Sequence, residues 1–478
     1  MKTEKKYLLL CALIITFLGF LYLVLADNAS ISVPVFALIQ AVLFYLLTKN
    51  KEIFYLFIPI FLLSLSFFTS ANWLWRLPTI IVIAILYSFI ALLLNNRLDF
   101  KISLFGFIKR TLFQMFSVLN YVTLPFSWFA EIFAKRSTTA RKIIIALIIS
   151  VPVLFVLISM LTQIDLIFSG LVDKTFGWLI DALNAFSIIK VNISILTSFY
   201  IFGILYSIVN PEVKYKPDIQ LFNIKADMLM INIVLGLTLV VYTIFIFIQF
   251  KYLFAKGSLP FDLNYAEYAR RGFFELLFLT AVNLGVIVFA TYQRIHADNK
   301  NCLVNTIMLN YLCTITIVLL TSSFYRMMLY SDDFGLTRLR LYVFGFLVFE
   351  LIGLIITYFY INKPKFNIIA VYTGLSLIYF ILLVLIPTDR IIARNQIDRF
   401  MQGKELEIEY VVSLSLDAAP EIARLTCHPT YTEAVYQYFI NHYDYYDKSW
   451  RAYNLSAQQA KKIYQELKCR GEKNDQSS

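Results

Sequence analysis

The chain has 478 residues, 59% of them hydrophobic and 15% charged. A soluble domain carries about 25% charged residues, so the composition excludes a core wrapped in a charged surface and leaves one that faces lipid. The formal net charge is +11, but no zinc finger, RNA-binding signature or basic helix with heptads accompanies it, so nucleic acid is not an expected partner.

A helix needs about 20 apolar residues to cross about 30 Å of hydrocarbon. Stretches near that length run over residues 7–26, 31–48, 53–70, 78–94, 143–161, 191–209, 227–250, 272–292, 302–323, 341–361 and 366–386. The pattern predicts an all-α, polytopic transmembrane helical bundle of about eleven spans within residues 1–387. Lys2, Lys5 and Lys6 precede a first stretch longer than a signal-peptide core, with no small-residue cleavage site behind it, so it reads as a spanning helix. The connections 27–30 and 49–52 are short enough to make the first helices antiparallel neighbours. Many Tyr and Trp fall near helix ends, as interfacial belts require.

Two intervals depart from this ladder. Over residues 103–135, Ser103, Gly106, Arg110, Gln114 and Ser117 form one polar stripe, and Leu104, Ile108, Leu112 and Met115 the opposing apolar one. That pattern predicts an amphipathic helix, either along the inner leaflet or packed under the bundle, before Pro125 interrupts it. Over residues 163–189, Asp165, Asp173, Lys174 and Asp181 punctuate apolar residues, which predicts an outer loop with a short surface helix. After residue 387 the apolar runs end. Residues 388–470 read as a small extramembrane helical tail, with Ser456 a fair N-cap, and residues 471–478 as a disordered end.

Orientation follows from basic residues in short loops. An inner N-terminus places Lys49, Lys51, Arg97, Lys101, Lys109, Arg110, Arg141, Lys142 and their like inside, about twenty basic residues against ten outside. An inner N-terminus and eleven crossings put the tail outside. The same Lys and Arg meet anionic headgroups, so membrane lipids are the expected partners.

The densest polar cluster lies at the outer ends of the eighth to tenth spans: Glu267, Arg270, Arg271, Glu275, Arg326, Arg338 and Arg340. Arg271 and Glu275 are one helical turn apart and can pair, with Arg338 or Arg340 expected near them. The cluster reads as an anion or headgroup site, or as ion pairs that fix loops. Glu350 stands alone in the tenth span, about 15 Å deeper than Arg340 at 1.5 Å per residue. A charge there costs about 2.5–3.5 kcal/mol on insertion scales, so Glu350 is expected to face the bundle interior, with Gln249, Asn283 or ordered water as its partner. Val343, Phe346 and Leu354 share its helical face.

Enzymatic signatures are absent: no Walker A loop, GxSxG elbow, HExxH or dinucleotide turn. Cys427, His428 and His442 lack metal-ligand spacing, and neither metal nor cofactor is expected. Cys427 and Cys469 share the tail, as a pair if it faces an oxidising compartment or as two free thiols. A transferase on a lipid-linked envelope substrate would have a similar helix count and an acid in a sizeable first outer loop. Asp27 is in place, but its loop is only a few residues long.

The YARRGFFEL stretch (residues 268–276), the GLTRLR stretch (335–340), and IARNQIDRF (392–400) with SLSLDAAP (413–420) resemble, in order and spacing, a bacterial family of multipass membrane proteins known only as a domain of unknown function. The family's tail usually has a tyrosine-leucine pair before the leucine-serine run, where this chain reads Tyr410-Val411-Val412-Ser413. The resemblance implies a multi-pass protein of the bacterial cytoplasmic (inner) membrane and supplies no catalytic residue. The expected function is therefore transporter-like or envelope-associated and non-enzymatic, with the transferase as the alternative.

Overall fold

The computed structural model describes residues 3–26, 29–95, 104–133, 146, 150, 185–210, 228–249, 273–295, 302–364, 366–442 and 449–475. Among them the ordered elements are helices, and none is a strand. Nine helices among the described residues are long and apolar enough to cross a membrane, and the helix Ser32–Thr48 is slightly shorter. Ten of the expected spans coincide with these helices. The span expected at 143–161 and nearly all of the outer loop expected at 163–189 lie outside the described residues. The chain is thus an all-α polytopic membrane protein.

It divides into two compact units, Met1–Asp218 with Tyr443–Gln458, and Ile219–His442 with Gln459–Ser478. The tail, which reads from sequence as one region, is therefore shared between them.

The first unit contains α1 (Thr3–Gly19, continued by a π-turn Phe20–Val24), α2 (Ser32–Thr48), α3 (Glu52–Thr69), α4 (Arg76–Leu94), α5 (Leu104–Ser117), α6 (Leu124–Phe133) and α7 (Ala185–Val209). Lys49, in the left-handed region at φ 57°, ends α2 and donates its N–H to Tyr45 O at 2.7 Å. The chain turns straight into α3, and α2 and α3 pack as antiparallel neighbours through Phe44 and Phe57, ring centroids 5.1 Å apart. Thr16 and Gln40, both buried, bond across α1 and α2 at 3.2 Å.

α4 and α7 run parallel. Ser88 meets Tyr200 at 2.6 Å, and further along in the same sense Asn95 donates to Ser207 O at 3.1 Å. The turn after α5 sits hard against α7. A Cβ added to Gly203 would lie 2.1 Å from Val118 Cγ1, so only glycine admits this approach. The amphipathic helix α5 turns its polar stripe toward the protein: Gln114 is buried and donates to Ser207 Oγ at 3.3 Å. Its apolar stripe, with Ile108, Leu112 and Phe116, is exposed.

A return of the tail completes this unit at the end of α1 remote from the N-terminus. Arg451 stacks its guanidinium on Tyr22, 4.3 Å from the ring centroid, and its carbonyl accepts from Ser30 N–H at 2.9 Å. Asn454 donates to Phe67 O at 3.0 Å and Ser70 O at 2.9 Å, and its Oδ1 accepts from Ala457 N–H at 3.1 Å. One side chain thus caps the end of α3 and starts the last helix.

The second unit contains α8 (Met228–Gln249), α9 (Phe273–Ile295), α10 (Cys302–Phe334), α11 (Arg338–Asn362) and α12 (Ile368–Leu385). These alternate in direction. Asn283 on α9 meets Thr316 on α10 at 3.2 Å, and Phe324 on α10 meets Phe344 on α11 with centroids 5.3 Å apart. The core is Leu276, Ile287, Leu312, Leu319, Leu347 and Leu354. The lipid-facing side of α8 carries Leu229, Met230, Val234, Leu237 and Val241, all exposed. In water that surface would be an association liability, whereas in hydrocarbon it matches its solvent.

Past α12 come α13 (Thr388–Met401), α14 (Ile408–Val412), α15 (Ala419–Ile422), α16 (Thr432–Asn441) and α17 (Leu455–Asp475). The last helix runs on through Gly471 to Asp475, where the polar composition points to disorder.

Candidate functional site

Two features of the second unit hold ionisable groups in unusual places. The first is a clasp between the helical joint 335–337 and the tail. α10 ends at Phe334 because Gly335 adopts φ +73° and its N–H returns to Ser331 O at 2.8 Å. Thr337 then caps α11, its hydroxyl accepting from Arg340 N–H at 3.4 Å. The tail fits onto the joint. Gln396 donates to Leu336 O at 2.8 Å, and Asn395 accepts from Leu336 N–H at 2.9 Å. Arg399 donates to the carbonyls of Ser331, Asp332 and Asp333, cations placed at the negative end of α10.

At the centre, Arg338 Nε and Nη2 grip Asp389 Oδ1 and Oδ2 at 2.8 and 2.7 Å. Ser415 N–H adds a third bond to Asp389 Oδ2 at 2.9 Å, and Tyr410 Oη accepts from Arg338 N–H at 2.8 Å. Burial alone would push the Asp389 carboxyl up, but the hydrogen bonds from Arg338 and Ser415 outweigh it and hold the group below the ordinary carboxylate range. Burial pushes the Tyr410 hydroxyl up. The clasp joins the three sequence stretches 335–340, 392–400 and 413–420.

The expected outer cluster therefore divides. Arg338 is committed to Asp389. Arg340 donates to Gly335 O and stacks on Tyr330, 4.1 Å from the ring centroid. Arg326 is buried on α10. Glu275 lies in the first turn of α9 on its exposed side, where the helix dipole favours an acid. Glu267, Arg270 and Arg271 lie outside the described residues, and with them the expected Arg271–Glu275 pair.

The second feature is Glu350, twelve residues from either end of α11 and so about 18 Å from each. It is 1% exposed, on a buried face with Val343, Leu347 and Leu354. Phe346 is only partly buried. Neither carboxyl oxygen has a hydrogen-bond partner among the described residues.

The polar side chains at this level are mostly committed elsewhere. Asn283, a candidate partner by sequence, accepts from Tyr242 Oη at 2.7 Å and donates to Thr316 Oγ1 at 3.2 Å. The side chain of Gln249, the other candidate, lies outside the described residues. Tyr372 donates to Gly353 O at 2.7 Å and meets Thr357 at 2.6 Å. Thr280 lies beside the carboxyl, but its hydrogen goes to Leu277 O at 2.8 Å.

Three structural residues escape the sequence reading. Arg294 counts in sequence as a loop charge, yet it is buried, bonds Thr306 Oγ1 and donates to Ile361 O at 2.6 Å. It thereby neutralises the carboxyl end of α11. Asp389 reads as one charge among several in the tail. Its position just past Pro387, at the foot of the last span, is the signal that separates it. Asn454 carries no sequence signal beyond its type. Cys427 is exposed and free.

Among the described residues, an apolar bundle of alternating helices long enough to cross a membrane, followed by a folded helical tail, defines a multi-pass integral membrane protein. The chain belongs to the family described as "Domain of unknown function (DUF4153)", whose model matches residues 57–425. That interval contains both the clasp and Glu350. Neither the curated proteins nor the solved structures include a match.

Proposed function

We propose that this is a transporter-like protein of a bacterial inner membrane, with Glu350 as its coupling group. The observation that carries the reading is the burial, at mid-span, of a carboxyl with no hydrogen-bond partner among the described residues. Such a group is costly to insert and marks ion or proton pathways more often than packing. A transferase would require convergent acids free to act. Here Asp389 is held by Arg338, Glu421 by Arg390 and Arg424, and Asp398 by Arg424.

The reading includes an inner N-terminus and an outer tail. Two features of the first unit support it. The tail returns at the end of α1 remote from the N-terminus. The parallel run of α4 and α7 requires an odd number of crossings between them, which the span expected at 143–161 supplies. Lipids remain the proposed partners, met by the exposed stripe of α5 and the flank of α8.

The test is solute-driven proton or ion flux in proteoliposomes containing the full chain. Glu350→Gln should abolish flux while leaving membrane levels and the melting profile intact. Unchanged flux in that variant would remove Glu350 from the mechanism.

A further inference from the structure

The ion that a mid-membrane carboxyl serves can be read from the ligands around it. A sodium ion in a helical carrier draws several oxygens from unwound main chain and from helix ends. Around Glu350 that supply is closed. α9, α10, α11 and α12 run unbroken past this level, and their carbonyls stay within helices. Asn283 and Tyr372 are engaged as described.

The titratable groups that α10 and α12 turn toward α11 near this level are Cys313, Tyr372 and Tyr379, with Tyr242 on α8 one layer away, and all four are neutral at neutral pH. Glu275 of α9 lies on that helix's exposed side. Cys313 Sγ donates to Leu354 O at 3.6 Å, and Tyr379 lies against Phe349 with centroids 4.8 Å apart. Arg338 is on Asp389 and Arg294 on Ile361 O, each about three turns of helix from Glu350, and the buried Arg326 lies two residues past the Phe324–Phe344 contact, toward the joint end of α10. Among the described residues, an ionised carboxylate here would have no ion pair and no hydrogen-bond donor within bonding geometry. A protonated one needs only an acceptor, and the Thr280 hydroxyl, whose own hydrogen goes to Leu277 O, lies beside it.

We infer that Glu350 is a proton-binding site rather than a metal-cation site: its carboxyl carries a proton at neutral pH in this arrangement of the bundle. The proton leaves, with the O–H bond breaking and the carboxylate remaining, when rearrangement of the helices admits water to accept it. This names the coupling ion for the transporter-like reading and rests on it for its physiological meaning. The protonation state is measurable without any transport.

The experiment is infrared difference spectroscopy of the reconstituted full chain, wild type against Glu350→Gln. The expected result is a carbonyl band of an unsolvated protonated carboxyl at neutral pH in the wild type, absent from the variant and lost reversibly as pH rises. Glu350→Asp guards against a misfolded glutamine variant: it should keep a titrating band at shifted frequency. No such band at neutral pH would overturn the inference. So would its loss at constant pH on adding sodium chloride but not choline chloride, because a metal cation would then be replacing the proton. A titrating band in vesicles that show no proton flux with any solute would uphold the site and refute the transporter-like reading instead.

Discussion

Replacement of Arg338 tests whether the clasp holds the tail to the bundle. Asp389 is fully buried and Arg338 is 26% exposed at its side chain. Arg338→Leu leaves a buried carboxylate with one remaining donor, the Ser415 N–H. Removing one partner of a buried pair costs about 3–5 kcal/mol, and the surviving bond and partial exposure put this case near about 3 kcal/mol. Arg338→Lys keeps the charge but loses the two-pronged grip, and should cost about 1 kcal/mol. The double variant Arg338→Leu/Asp389→Leu strands no charge and should recover most of the loss, a coupling of about 2 kcal/mol.

Thermal unfolding in detergent, together with the rate of tryptic cleavage in the tail, reads all three. The same pair predicts a pH dependence. The Asp389 pKa is depressed in the folded protein, so its stabilisation is complete above the ordinary carboxylate pKa of about 3.9 and fades as pH falls through the lower folded value. Tail release should accelerate below about pH 4 in the wild type, and Arg338→Leu should flatten that response. A double variant no more stable than Arg338→Leu, or an Arg338→Leu protein that melts with the wild type, would refute the clasp.

Asn454→Ala removes the bonds to Phe67 O and Ser70 O together with the cap on Ala457. A loss of about 2 kcal/mol is expected, visible as faster proteolysis near residue 450, and protection equal to the wild type would count against the docking. Phe116→Trp places a reporter at a site 65% exposed on the apolar stripe of α5. Brominated lipid should quench its added fluorescence and aqueous iodide should not; the opposite pattern would place that stripe in water.

The bundle was readable because its signal is long and redundant. About 20 apolar residues per span leave few alternatives, and ten of the spans coincide with helices, although the one expected at 302–323 continues to Phe334 through charges that sequence alone assigns to a loop. Glu350 was readable for the same reason in reverse, as a carboxylate where hydrocarbon forbids one. The clasp was only half visible. Arg338 and Arg340 stand out as charges after a glycine, but their partners lie about fifty residues away or on a main-chain carbonyl. Sequence spacing cannot express a bond from Asp389 to Ser415, since it depends on how the tail folds back. The amphipathic sense of α5 could be misjudged too. Its polar stripe serves Ser207 of α7 rather than water, and a period of 3.6 shows that two faces exist without saying what each one meets.

The treatment of buried charge across the second unit separates structure from function. Two of its cations are matched to acceptors that hold the fold. Arg338 has a carboxylate matched to its fork, and Arg294 a helix-end carbonyl and a hydroxyl. Both sit near helix ends, where snorkelling and headgroups would have lowered the cost in any case. Glu350 has the opposite treatment: a mid-helix position, 1% exposure and no hydrogen-bond partner among the described residues. Apolar replacement of a structural carboxyl would relieve that cost, because α11 already packs there through Leu347 and Leu354. If Glu350 only filled space, Glu350→Leu should raise the melting temperature and change nothing else. If it carries a proton, the same substitution should raise the melting temperature and remove the titrating carboxyl and the flux together. The two roles give the same change in stability, but one leaves activity unchanged and the other abolishes it, so measuring both on one variant decides between them.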